Sequence, residues 1–109
     1  MRILLDNCTP RGVIPALQGH EVKECRSQGW DRLRNGDLLR AAEAAGFDVF
    51  ITTYQSLPQQ QNLRSRGIAV VILESNRWRI IRQDLPRILT AVERAQPGKL
   101  IQVTFGDKE

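Results

Sequence analysis

Six consecutive apolar residues at 68–73 form the most strand-like segment of this 109-residue chain. Both faces of the run are apolar, which is typical of a parallel strand covered by helices on either side. Other strand-like runs lie at 2–5, 21–23, 48–53 and 100–105, and segments with helical features separate most of them. The alternation predicts an α/β domain of three layers, with a mainly parallel five-stranded sheet and helices on both faces.

The helical segments carry start and stop signals. Thr9 is predicted to be the N-cap of a first helix that starts at Pro10 and stops at Gly19. A second helix is predicted over 36–45, with Asn35 as its N-cap. Further predictions are a Gly46 cap on that helix, a partly helical 56–66, and a helix over 85–92 capped by Asp84 and ended by Pro97-Gly98.

Length and composition predict a single domain, 1–109, with a frayed tail at 106–109. No apolar stretch reaches the ~18 residues of a membrane span. Met1 leads directly into a strand-like run without a signal-peptide pattern. We therefore expect a cytoplasmic protein with no membrane partner. Two cysteines and one histidine are too few for a zinc cluster or a disulfide framework.

Three acids are candidates for a metal site. Asp6 follows the first strand, Asp37 lies in the first turn of the second helix, and Glu74 follows the 68–73 run. Ligands of open parallel sheets bind outside the carboxyl ends of the strands, and one or two carboxylates can hold magnesium. Each acid also has a structural alternative. Asp6 suits a turn in which its carboxylate accepts backbone N–H groups, Asp37 suits a helix N-terminus, and Glu74 suits a solvated loop.

A polar segment follows the 48–53 strand and should reach the same edge of the sheet. The residues predicted to line a crevice beside Asp6 are Asn7, Thr53, Tyr54, Gln55 and Ser56. Amides and hydroxyls hydrogen-bond phosphate oxygens or base edges, but they do not replace a charged carboxylate on magnesium. An ordinary polar surface is the alternative.

The positive charge is mostly arginine, with 13 arginines among 16 basic residues and a net charge of +4. Arginine suits phosphate groups, and exposed tryptophan beside arginine can stack unpaired bases. The nucleic-acid-binding candidates are Arg32 and Arg34, near Trp30, and Arg77 and Arg79, which flank Trp78. The alternatives are a solubilising surface for the arginines and a protein interface or core packing for the tryptophans.

The opening MRILLDNCTP (1–10) resembles the start of the small PIN-like proteins grouped as DUF5615. Segments similar to this family follow in order along nearly the whole chain, at 19–22, 29–30, 35–39, 48–53, 60–63, 68–71 and 75–77. Their order and spacing together make the resemblance specific, although no one segment would be. The resemblance implies a PIN-like nuclease, often the toxin of a toxin–antitoxin pair, that cleaves RNA with acid-held magnesium or manganese.

By position, Asp6 corresponds to the first metal-ligating acid of the family and Asp37 to the acid that heads the second helix. Three positions depart from the pattern. Asn7 and Tyr54 stand where the family has acids, and Ser56 stands where it has asparagine. The loss of charged ligands predicts much weaker metal binding, since each charge-assisted contact contributes roughly 1.5–3 kcal/mol.

Three hypotheses follow from these residues. The first is a metal-dependent ribonuclease of toxin–antitoxin type with weakened or lost catalysis, using weakly held magnesium or manganese. The second is a non-catalytic PIN-like module that binds RNA or a protein partner such as a cognate antitoxin. The third is a homodimer whose interface uses Trp30 or Trp78.

Overall fold

A computed structural model describes residues 1–60 and 62–105; the tail predicted at 106–109 lies outside them. The strands are β1 (Arg2–Leu5), β2 (Glu21–Glu24), β3 (Val49–Thr52), β4 (Ala69–Leu73) and β5 (Leu100–Val103). The α-helices are α1 (Asn35–Ala44), α2 (Leu57–Gln60), α3 (Trp78–Ile81) and α4 (Pro86–Glu93). Short 3-10 helices span Arg11–Leu17, Cys25–Gln28 and Arg82–Asp84.

The five strands form one sheet in the order β2-β1-β3-β4-β5, and every neighbouring pair is parallel. All carboxyl ends therefore meet at one edge. The chain leaves β1 for β2 on one side and later returns to place β3 on the other side of β1. This reversal makes the gap between β1 and β3 a topological switch point, where open α/β sheets bind their ligands.

Helices cover both faces of the sheet, as predicted. Ile3 and Leu5 of β1 belong to one buried cluster, which also contains side chains of the Arg11–Leu17 helix, α3 and α4. Leu4, between them, belongs to a second cluster with side chains of α1 and α2. Successive strand residues point to opposite faces, so the apolar run in β1 fills both cores. The three-layer α/β prediction is confirmed.

The first helix differs from its prediction. Arg11–Leu17 is a 3-10 helix, and Pro10 precedes it in an extended conformation, so Thr9 is not its N-cap. The Thr9 hydroxyl instead donates to the carbonyl of Ile51 at 3.4 Å. Pro15 lies inside the segment, where its ring would clash with a preceding carbonyl in an α-helix. That clash disfavours an α-helix and favours the more tightly wound 3-10 helix.

The predicted end of α1 is confirmed at Gly46. Its backbone has φ 83°, its N–H donates to the Glu43 carbonyl, and the Phe47 N–H donates to the Ala42 carbonyl. This pair of bonds is a Schellman cap. At the other end the N-cap position is Arg34, one residue before the predicted Asn35.

The predicted cap of α4 is wrong. Leu85 occupies the N-cap position and Pro86 the start of the helix, while Asp84 forms an ion pair with Arg87 at 2.5 Å. The helix ends at Glu93, before the predicted stop. Among residues 1–60 and 62–105, no helix combines the length and apolar character that a membrane span requires.

Candidate functional site

A polar crevice of about 280 Å³ lies outside the carboxyl ends of β1 and β3, at the switch point of the sheet. Polar and apolar residues line it together: Asp6, Asn7, Asp31, Leu33, Arg34, Leu38, Phe50, Thr52, Tyr54 and Leu57. A second hollow of about 370 Å³ lies towards the amino end of β5, but none of its described lining residues is an acid. The crevice at the switch point is therefore the candidate site.

Asp6 lies at the centre of this crevice because β1 ends at Leu5. Its Oδ1 accepts the backbone N–H of Asn7 at 2.8 Å. Its Oδ2 accepts the hydroxyl of Thr52 at 2.7 Å, and the side chain of Thr52 is fully buried. A buried donor on a neighbouring strand fixes the carboxylate more firmly than solvent could. Asp6 is therefore a pre-oriented acceptor with lone pairs left for a ligand.

A second acidic residue, Asp31, lines the same crevice. It sits in a turn where the Leu33 N–H donates to the Trp30 carbonyl. The Trp30 ring meets the ring of Phe47 edge-on, with centroids 6.0 Å apart, and so anchors the turn to the core. The amide of Asn7 reaches the Asp31 carbonyl at 3.5 Å. This hydrogen bond joins the loop that carries Asp31 to the end of β1, beside Asp6.

The rest of the rim adds one positive charge and one aromatic ring. Arg34, just before α1, lines the crevice and is exposed. Tyr54 lines it after β3 and keeps 39% of its surface exposed. The backbone N–H of Tyr54 donates to the Thr52 hydroxyl at 3.1 Å. Thr52 therefore organises both Asp6 and the segment that carries Tyr54.

The other two predicted metal ligands are engaged elsewhere. Asp37 does not line the crevice; its carboxylate forms an ion pair with Arg40 one turn along α1, and its side chain is 66% exposed. Glu74 follows β4 as predicted, but its carboxylate accepts the backbone N–H of Phe105 at 2.9 Å and so fastens the end of β5. Of the three predicted acids, only Asp6 lines the crevice.

Some of the polar residues predicted to line the crevice do so, and others do not. Asn7 and Tyr54 line the crevice, while Thr53, Gln55 and Ser56 do not. The Thr53 hydroxyl donates to the Cys8 sulfur at 2.9 Å. The Gln55 amide donates to the Leu73 carbonyl at 2.6 Å, which ties the segment after β3 to the end of β4. These two side chains hold the segment after β3 in place but do not line the crevice.

The four candidate arginines lie in two places. Arg34 lines the crevice and Arg32 is exposed two residues before it. Arg77 and Arg79 are exposed around Trp78, on the segment that follows β4. Of the predicted arginines, Arg34 therefore lines the crevice, and Arg77 and Arg79 belong to a separate basic surface.

Asp31 is the acidic residue of the crevice that the sequence analysis did not predict. It lies in a polar loop without periodicity, so no strand or helix pattern placed it. The available signal is Trp30 beside it, since a tryptophan in such a loop tends to anchor the neighbouring residues against the core.

Cys25 is fully buried in the hydrophobic cluster that also contains side chains of α1 and α2. Burial raises the pKa of its thiol from 9.0 to about 12, and the negative charge of Asp6 and the neighbouring Cys8 add to the effect. Cys8 is exposed and neither cysteine is in a disulfide. The thiol of Cys25 is therefore neutral and unreactive at physiological pH.

The donor set of the crevice can be compared with the needs of a divalent ion. Asp6 and Asp31 both line the crevice, and their side chains are of the oxygen-ligand type that magnesium and manganese prefer, while magnesium keeps several of its own waters. Among the described residues, no group of three or more His, Cys, Asp or Glu side chains is placed to hold a metal. Two carboxylates therefore fit one hydrated, weakly held ion, and not a two-metal site.

Comparisons with protein-family models, with curated proteins and with solved structures give no match. The function is therefore inferred from the crevice and its chemistry.

Proposed function

We propose that this chain is a cytoplasmic PIN-like ribonuclease domain with slow turnover that depends on magnesium or manganese. The observation that carries the proposal is the presence of two carboxylates, Asp6 and Asp31, in one crevice at the switch point between β1 and β3. A pair of acids there suits a hard cation and a phosphodiester.

Each rim residue has a distinct role in this proposal. Asp6, held by Thr52, and Asp31 would hold the ion through carboxylate oxygens. When bound, the ion supplies Lewis acidity to a phosphate oxygen and lowers the pKa of a bound water. Arg34 pairs with a neighbouring phosphate of the RNA. Tyr54 offers its exposed ring or phenol to a base beside the cleaved bond.

Slow turnover follows from the ligands that are missing. Asp37 and Glu74 are engaged with Arg40 and with the backbone of Phe105, and a phenol stands at Tyr54, where the PIN-like pattern has an acid. Each lost charged ligand costs roughly 1.5–3 kcal/mol of ion affinity, which is about 10- to 150-fold. We therefore expect metal-dependent activity only at high ion concentration.

The exposed Tyr54 in the crevice favours one alternative. A PIN-like module without catalysis would use the same rim to bind RNA or a protein partner of cognate-antitoxin type. The two functions differ in cleavage: the ribonuclease cleaves RNA when manganese is present, whereas the module binds its partner and leaves RNA intact.

The test is cleavage of a single-stranded RNA with manganese, measured on the purified chain and on carboxylate-to-amide variants. Asp6→Asn and Asp31→Asn should abolish cleavage, because each removes a charged ligand. Asp84→Asn is the matched control, since its carboxylate pairs with Arg87 on the α4 side of the sheet. Asp37→Asn should also leave cleavage close to that of the unaltered chain.

Full cleavage by Asp6→Asn would identify a contaminant as the source of activity and would end the ribonuclease proposal. Absence of cleavage by the unaltered chain, together with metal-independent RNA binding, would support the non-catalytic module.

A further inference from the structure

We propose that a second surface, made of Arg77, Trp78, Arg79 and Arg82 and called the Trp78 surface below, docks single-stranded RNA for the crevice. Trp78 stacks on an unpaired base and the arginines contact phosphates. The inference deepens the proposed function, because the docked strand is the same class of substrate that the crevice would cleave.

Trp78 is a fixed and exposed aromatic platform. It keeps 40% of its surface exposed, although its six-membered ring packs directly on Gly12. A Cβ built at Gly12 would lie 2.4 Å from the Cη2 of Trp78, far inside van der Waals contact. Only glycine permits this approach. One part of the indole is therefore held against the Arg11–Leu17 helix while another part faces solvent, which suits stacking with little loss of side-chain entropy.

The charges around this platform are not compensated. Arg77, Arg79 and Arg82 are exposed, and among the ion pairs of residues 1–60 and 62–105 none involves them. The nearest acids along the chain are Glu74, whose carboxylate accepts the Phe105 N–H, and Asp84, which forms an ion pair with Arg87. Arg82 follows Trp78 by four residues, so both lie on one side of the helical turn. Three exposed arginines thus lie within four residues of Trp78 along the chain.

The Trp78 surface and the crevice lie at the same edge of the sheet. Trp78 follows the carboxyl end of β4, and Gly12 follows that of β1. Gly12 is six residues after Asp6, which limits their separation to about 20 Å even for extended chain. The surface belongs to the α3 side of the sheet and the crevice to the α1 side. A short single strand crossing this edge would contact both.

The composition of the Trp78 surface favours RNA over a protein or a membrane. Among the described residues, the large apolar side chains that are most exposed are Met1, Leu33, Tyr54, Trp78 and Leu100. Trp78 alone of these belongs to the basic surface, and a single ring among arginines does not form the apolar patch of a protein interface or membrane anchor. Planar bases on a phosphate chain match both features.

The test is fluorescence anisotropy with a labelled single-stranded RNA of about ten nucleotides, measured in a chelator so that the crevice holds no metal. Trp78→Ala should weaken binding about tenfold or more, and Trp78→Phe should restore most of it. Leu100→Ala is the matched control, because Leu100 is 39% exposed and Trp78 40%. Gly12→Ala should also weaken binding, since its Cβ displaces the indole. Circular dichroism verifies that each variant is folded.

Arginine variants test the phosphate contacts through salt dependence. Arg77→Gln or Arg79→Gln should each reduce the slope of log affinity against log salt by about 0.7. Arg94→Gln, an exposed arginine at the end of α4 without an ion pair in the described chain, should leave the slope unchanged.

Equal RNA affinity of Trp78→Ala and Leu100→Ala would overturn the inference. Anionic lipid vesicles that bind the chain with the same dependence on Trp78 would overturn the assignment to RNA. Because all measurements exclude metal, failure of the manganese-dependent cleavage would leave this result standing, and loss of docking would leave the metal site untouched.

Discussion

Replacement of Thr52 by valine tests how the crevice is organised. The Thr52 hydroxyl donates to Asp6 at 2.7 Å and accepts the Tyr54 N–H at 3.1 Å, and its side chain is fully buried. A bond to a charged group contributes about 1.5–3 kcal/mol, and the Tyr54 N–H about 1 kcal/mol more. Burying a methyl in place of the hydroxyl offsets about 1 kcal/mol. Thr52→Val should therefore lower the free energy of unfolding by about 2 kcal/mol.

Urea denaturation measures this change, and the melting temperature should fall by roughly 10 °C. Thr52→Ser is the matched control, because it keeps the hydroxyl and loses only a methyl group. In an Asp6→Asn background the valine substitution should cost about 1 kcal/mol less, since the bond then joins neutral groups. Equal destabilisation by valine and serine, or a cost unaffected by Asp6→Asn, would refute the view that Thr52 positions this carboxylate.

Two further predictions concern the core and a close backbone approach. Burial raises the pKa of Cys25 to about 12, so the folded state keeps a proton that the unfolded state releases above pH 9.0. The free energy of unfolding should therefore fall by about 1.4 kcal/mol per pH unit between those values. In Cys25→Ala this slope should shrink, and an identical slope in urea titrations would exclude the thiol as its source. Gly98 has φ 80°, and a Cβ there would lie 2.7 Å from the Arg64 carbonyl oxygen. Gly98→Ala should cost about 2 kcal/mol or more. Gly67→Ala, which meets no atom closer than 3.9 Å, is its control, and equal melting temperatures would contradict the clash.

The strands of the sheet are predictable from the sequence. The length of an apolar run, and the alternation of strand-like with helix-like segments, both reflect which residues are buried. The run at 68–73 corresponds to the fully buried β4, and Leu5-Asp6 marks the point where β1 meets solvent. The placement of Asp6 and Tyr54 in one crevice follows from the same logic, since they lie one and two residues after the ends of neighbouring parallel strands.

Side-chain direction on helices and in loops was not predictable from these patterns. Asp37 is in the first turn of α1 as expected, but Arg40 three residues later draws its carboxylate into a local ion pair. Glu74 leaves β4 at the expected edge, and its carboxylate accepts the backbone N–H of Phe105, just beyond the end of β5. Asp31 reaches the crevice through a turn anchored by Trp30, a tertiary contact that no local spacing encodes.

Anomalous diffraction from crystals soaked in manganese would locate a bound ion. We expect one peak within ligand distance of the Asp6 and Asp31 carboxylates, and none beside Asp37 or Glu74. The same soak of Asp6→Asn should remove the peak. An empty crevice at millimolar manganese, or a peak at Asp37 or Glu74 instead, would contradict the proposed metal site.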